Sequence, residues 1–174
     1  RGGVGIVISP AATRAWDATG REKKSPSARV VAARLQYTDA TGKEIGVCLV
    51  GGWRPTTAAS EAEHDQFDAD LEEAMDLAQE TDLLMVHLDG NGAVGVASKE
   101  DEDPALGPHG IAHRNEAGLR LLDFMRAREM CAATSFFKAG SLTGMQRRRR
   151  DKKRNRAAGG SRRTQAKRWK RKQT

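Results

Sequence analysis

Leu83 to Gly95 reads LLMVHLDGNGAVG, and the reading of this stretch decides the fold. Leu83, Leu84, Met85 and Val86 form an apolar run too short for a bundle helix, so they read as a buried strand that empties into Asp89, Gly90, Asn91 and Gly92. A carboxylate and an amide thus stand at a strand's end. In α/β sheets the loops leaving the carboxyl ends of strands surround a crevice on a rigid scaffold, which is where ligands are met. The same letters suit a plain turn, because Asp, Gly and Asn are the commonest turn formers. The order of the surrounding elements carries the weight between the two.

Upstream, Ile45 to Val50 is continuous and apolar, as expected of a central strand, and the loop Gly51, Gly52, Trp53, Arg54, Pro55, Thr56 follows it. Ser60 with Glu63 is a capping-box pattern, and Phe67, Leu71, Ala74 and Ala78 fall on one stripe of a helix spanning 61–79. Strand, helix and the LLMVHL strand make a β-α-β unit, the usual way to join parallel neighbours. The helix's other face is crowded with acids, from Glu61 to Glu80, and holds no Lys or Arg. It reads as a solvated face or, more sharply, as a dock for a basic segment.

Further out, Val4, Ile6 and Ile8 alternate like a strand ended by Pro10, and Val31, Ala33, Leu35 and Tyr37 repeat that period. The polar stretch 21–27 between them reads as a turn or hairpin loop. Downstream, 92–114 shows no periodicity, a length of structureless chain that is uncommon unless functional or disordered. Asn115 can cap a helix with Leu119, Leu122 and Met125 facing inward, and 131–137 is expected to be a last strand.

The 174 residues, 38% apolar, suffice for one domain with one modest core. A net charge of +7 conceals a division at Gln146: residues 147–174 hold 15 Lys and Arg and one acid, Asp151, whereas the remainder holds 15 basic and 22 acidic residues. An acidic body therefore carries a basic tail of +14. The tail lacks the apolar surface for a core and has the composition of a nucleic-acid-binding or nuclear-targeting arm, with Trp169 alone among its cations. Cys48 and Cys131 read as core thiols of a reducing, intracellular compartment. No stretch approaches a membrane span and no leader opens the chain, so neither membrane insertion nor secretion is supported. The start at Arg1, straight into a strand-like pattern, is expected of a fragment or processed product.

Three smaller signals are weaker. His109 and His113, four apart, would suit a helical metal pair, but Pro108 and Gly110 argue against a helix and no third zinc ligand is evident. His87, beside Asp89, reads as a packed core histidine before it reads as a base. Glu100 to Asp103 read as a solvated loop.

Taken in order, GGVGIVIS, GGWRPT, DLLMVHLDGNGAVG and GPHGIAHRNEAGLRLLDFMRAREMCAATSFF resemble the collinear motifs of the endonuclease/exonuclease/phosphatase superfamily. The likeness is to the branch found as the endonuclease domain of non-LTR retrotransposons, and it covers 1–138. The resemblance implies a partial four-layer α/β sandwich over 1–138; composition adds a hinge and a disordered or extended basic tail over 139–174. It also implies phosphodiester hydrolysis with magnesium, since the chemistry needs an oxygen-rich site for a hard cation, a base for water and donors to the phosphate.

Residue by residue, the resemblance puts Asp89 at the Asp that orients and deprotonates water, and Asn91 at the amide that holds a phosphate oxygen. Trp53 falls at a Tyr that hydrogen-bonds the phosphate, which an indole without a hydroxyl cannot do in the same way. Thr56 falls where related nucleases often carry Asn, while Leu88 and Gly90 replace a usual Gly and Phe. The family's metal-binding Glu lies before the point where this chain begins, and its closing Asp-His pair falls where the basic tail stands. The expectation is a magnesium-dependent endonuclease-like domain that is incomplete and weakly active or inactive. The alternative is a non-catalytic scaffold, nucleic-acid-binding or part of a ribonucleoprotein, that uses the basic arm. Strands missing from the sheets predict exposed edges, hence marginal stability or a protein partner covering them.

The tail contacts expected with DNA or RNA come from Arg147, Arg148, Arg149, Arg150, Lys152, Lys153, Arg154, Arg162, Arg163, Lys167, Arg168, Lys170 and Arg171. Each neutralised phosphate releases counterions. Non-specific binding in the micromolar range should therefore weaken by roughly 1,000-fold or more between about 50 and 200 mM salt, measured by fluorescence anisotropy of a labelled duplex.

Overall fold

The computed structural model describes residues 2–97 and 103–138. The hinge and the tail cations lie outside them. The described residues are mixed α/β: a four-stranded sheet in the order β1-β2-β3-β4, with three α-helices. They form two compact units, 2–95 with 111–131, and 96–97 with 103–110 and 132–138.

In the first unit the elements are α1 (Pro10–Asp17), β1 (Lys23–Ser27), β2 (Val30–Thr38), β3 (Glu44–Trp53), α2 (Glu61–Met75), β4 (Leu83–Asp89) and α3 (Glu116–Arg126). β2 and β3 pair antiparallel from Val30↔Gly52 to Thr38↔Glu44, while β3 and β4 pair in parallel from Val47↔Leu83 to Trp53↔Asp89. The expected β-α-β unit is therefore present, and its third apolar run has neighbours on both sides. Ser60 and Glu63 complete the capping box in both directions at the start of α2.

α2 lays Phe67, Leu71 and Ala74 on Val30, Ala32, Cys48 and Val50, with Phe124 of α3 completing the buried cluster. Leu84, Val86 and Leu88 of β4 pack against it. The other face of β4 is open, since side chains alternate along a strand: Leu83 is 58% and Met85 39% exposed, and His87 and Asp89 are exposed with them. β4 is thus not buried on both faces as expected, because it forms the sheet's edge and only one side has a layer upon it. His87 is correspondingly not a core histidine.

Several other expectations are corrected. Residues 2–9 form no strand. Their alternation is real, with Val4, Ile6 and Ile8 half-buried and Val7 fully exposed, but Val4 and Ile6 lie over Gly51 on the sheet's face instead of joining an edge. One backbone bond, Val4 N–H to the Ala28 carbonyl, ties the segment down. Pro10 does not end a strand; it opens α1, with Ser9 as the cap accepting from the Ala12 amide. The polar stretch expected as a loop contains β1, an edge strand that tolerates Pro26 because its pairing to β2 is irregular between Lys24 and Ser27.

In α3, Asn115 is the cap and Leu122 and Met125 are buried as expected, whereas Leu119 is exposed and Phe124 is buried instead. In the second unit the expected last strand is a short 3-10 turn, Ala133–Ser135. Its neighbourhood bonds to the long loop at scattered positions (Ala132 N–H to Ala105, His109 N–H to Ser135, Gly107 N–H to the Ser135 hydroxyl), which is no ladder. Cys131 is exposed and not a core thiol, while Cys48 is buried and its thiol pKa is pushed up to about 11 by that burial.

A buried ion pair closes the end of the sheet opposite Trp53 and Asp89. Arg34 of β2 donates from Nε and Nη2 to the two oxygens of Asp82, at 2.6 and 2.9 Å, and Nη2 also reaches Gln79. Asp82 accepts the Gln79 amide as well. Gly46 is required beside them, because a Cβ there would overlap the Asp82 carboxylate. The Arg34 bonds hold the Asp82 carboxyl below its usual value, so the pair stabilises the fold above a pH of about 4 and that contribution is lost as pH falls through the lowered value. Asp82→Asn should cost about 3 kcal/mol near neutrality by removing the two-pronged partner of a buried guanidinium, which then keeps only Gln79 and the more distant Glu22. In thermal melts the gap to the unaltered chain should close as pH drops below about 4.

Candidate functional site

The carboxyl ends of β3 and β4 bring together residues that stand far apart in sequence. Trp53 and Asp89 are register partners on adjacent parallel strands, so their side chains leave the same face. The two strand ends are joined past the ladder: the Arg54 amide donates to the Asp89 carbonyl at 3.0 Å, and the Asn91 side-chain amide donates to the Arg54 carbonyl at 2.7 Å. Of the sequence-derived candidates, Asp89, Asn91 and Trp53 are therefore assembled at one corner. Thr56 lies exposed in the turn beyond Pro55, where its carbonyl accepts the Ala59 amide. The candidate cations of the tail lie outside the described residues.

The Asp89 to Asn91 segment is a turn as well as a corner of the sheet. One Asp89 carboxylate oxygen accepts the Asn91 backbone amide at 3.3 Å, and Asn91 takes a left-handed φ of 45°, which Asn tolerates better than most residues. The bond to Arg54 fixes which way the Asn91 amide faces, leaving its second N–H and its oxygen outside that bond. Asp89 remains exposed to solvent.

The loop after Asn91 is pinned to α3. The Asn115 side-chain oxygen accepts two amides at 2.9 Å, those of Ala93 and Gly118, while the Asn115 amide donates to the Ala93 carbonyl. One residue thus caps the helix and holds the loop. Gly118 permits the approach, because a Cβ there would overlap the Ala93 carbonyl. Arg114 adds a bond from Nε to the Val94 carbonyl.

Two arginines that the sequence reading left without a role organise this corner. Arg54 is 1% exposed, and its Nη2 donates to both oxygens of Asp68 on α2, at 2.8 and 3.0 Å. Its Nε and Nη1 are buried and find no acceptor among the described residues, and burial lowers its pKa against the opposing pull of Asp68. Arg29, in the β1–β2 turn, stacks its guanidinium over the Trp53 ring at 4.8 Å, and its carbonyl accepts the Trp53 amide. Arg54 was in view within GGWRPT, but only the tertiary fold shows that it points at the helix while Trp53 does not.

The acidic face of α2 is not bare, and the docking of the basic tail expected there involves residues outside the described ones. Arg120 of α3 bonds Glu61, Asp65 and Asp68, Arg128 pairs with Glu72, and Lys24 pairs with Glu73.

As to a metal, no group of three or more His, Cys, Asp or Glu side chains among the described residues is placed to hold one. At the corner the chain offers a single carboxylate, Asp89, already accepting one amide, beside the Asn91 amide oxygen. That set falls short of magnesium's demand for several ordered oxygens, so these residues alone do not fit the ion.

No protein-family model matches the chain, and no solved structure matches it significantly. It is similar to craniofacial development protein 2 of Tragulus javanicus, 30% identical over 114 residues, and to that of Bos taurus, 28% identical over 114 residues. Each match covers 65% of this chain and 18% of the relative, so the chain spans about a fifth of the length of these curated relatives. Among the described residues no helix is long and apolar enough to cross a membrane.

Because Asn115 serves both helix and loop, Asn115→Ala should destabilise the fold by about 1–2 kcal/mol in urea titrations. Amide exchange should also speed up at Ala93 and in the Asp89 to Gly95 loop.

Proposed function

We propose that the chain is an endonuclease/exonuclease/phosphatase-like domain of retrotransposon-endonuclease kind, whose β3 and β4 ends handle a phosphodiester of DNA or RNA. The observation that carries this reading is the joining of Asp89 and Asn91 to the Trp53–Arg54 strand end by two backbone-anchored bonds. The collinear motifs and the similarity to craniofacial development protein 2 support it. In this reading the Asp89 carboxylate accepts a proton from water, and the free N–H of the Asn91 amide donates to a phosphate oxygen. The basic tail supplies sequence-independent attraction to the polyanion and is consistent with a nuclear location. No step is assigned to magnesium, because the residues present do not complete a site for it; the hydrolytic set is incomplete and turnover is weak or absent.

A second reading, the fold as a non-catalytic nucleic-acid-binding body in a larger assembly, is favoured by the open face of β4. Leu83 and Met85 are exposed there beside an edge without a partner strand among the described residues, a surface suited to a protein partner.

Supercoiled or abasic DNA, with and without magnesium, discriminates between them. The chain should retain DNA at low salt and nick it slowly at most, and any nicking should fall at least tenfold in Asp89→Ala, as expected when a member of a cooperating set is removed. Brisk nicking that survives this substitution would sink the assignment of Asp89.

A further inference from the structure

Trp53 ends β3 with 41% of its surface exposed, an unusual position for a residue type that is mostly buried. Arg29 lies over its ring at 4.8 Å, and the bond from the Trp53 amide to the Arg29 carbonyl keeps the turn above the strand end. Unlike Arg34, Arg54 and Arg120, Arg29 makes no ion pair among the described residues; Glu63 senses its charge only through space. A part-open indole and an unneutralised guanidinium therefore adjoin Asp89, the register partner of Trp53.

This combination matches a nucleotide in two chemistries at once. A nucleobase gains by lying on an aromatic face whatever its sequence, and the neighbouring phosphate gains from a cation. Bases inside a duplex are already stacked on one another, so the indole is useful only for an unpaired or extruded base. A plain structural cation–π contact would account for Arg29 but not for the exposure of the indole at the corner where Asp89 and Asn91 meet.

We propose that Trp53 and Arg29 form a stacking site for an unpaired base of single-stranded nucleic acid, with the base on the indole and its phosphate at the guanidinium. The inference rests on the strand-end reading above and adds the strandedness of its ligand.

The full chain labelled with 5-fluorotryptophan tests it by fluorine NMR. The chain has three tryptophans, Trp16, Trp53 and Trp169, so Trp→Phe substitutions assign each signal. A dT12 oligonucleotide should shift the Trp53 signal, while polyphosphate, which offers charge without bases, should move only Trp169 in the tail. A Trp53 signal that stays put while dT12 saturates the Trp169 shift would overturn the proposal, as would an equal response to polyphosphate.

Trp53→Ala should weaken dT12 binding about tenfold and duplex binding little, with Trp53→Phe restoring most of the loss. Equal losses for both ligands would count against stacking. Nicking reports on Asp89 and the fluorine shift on Trp53. An unmoved Trp53 beside Asp89-dependent nicking rejects only the stacking site, and a shifted Trp53 beside Asp89-independent nicking rejects only the corner reading.

Discussion

Asp68 accepts hydrogen bonds from two arginines at once, Arg54 at the end of β3 and Arg120 in the middle of α3, and much of the structure hangs on that sharing. α2 is rich in acids and has no Lys or Arg of its own. Packed on a sheet, such a helix would repel itself and leave half-buried carboxylates without partners. Arg120 spans Glu61, Asp65 and Asp68, one side of the helix over two turns, and these bonds raise its pKa against the opposing effect of burial. Exposed pairs of this kind contribute little singly, so what matters is the buried member. Arg54 has nowhere else to place its charge, and its backbone is the piece that Asp89 and Asn91 both hold.

The strand-end corner follows from that anchoring. Asp89 and Asn91 sit on a turn that would otherwise be free to move. One end is tied to Arg54, itself fixed by Asp68, and the other to Asn115 at the start of α3. Carboxylate, amide, indole and guanidinium are thereby presented on a rigid frame, the condition under which a few polar groups can select a ligand. The corner is a property of three chain segments held together, and no one of them contains it.

Legibility in the sequence divided along a physical line. The capping box at Ser60, the cap at Asn115 and the stripe of Phe67, Leu71 and Ala74 were readable because each is set by residues within a few positions of one another, and the parallel pairing around α2 because a strand-helix-strand order dictates it. The N-terminal alternation was readable as one-sided burial but not as to its partner, since packing on a face and pairing at an edge produce the same period. β1 was hidden by its polar letters and Pro26, which an edge strand tolerates. The 131–137 segment looked strand-like, yet its backbone groups bond to a loop some 25 residues earlier in the chain.

The amino-acid order by itself determined the β3-α2-β4 unit, the starts of α2 and α3 and the placement of Asp89 and Asn91 at a strand's end, because local periodicity and capping chemistry are sufficient for these. Tertiary structure alone decided that β4 is an edge with one open face, that the acids of α2 are answered by arginines of other elements, and that Trp53 meets Arg29 while Arg54 turns inward. Those outcomes depend on which distant groups arrive at a given spot and on which face each strand residue leaves. Neither is encoded within the few residues on either side.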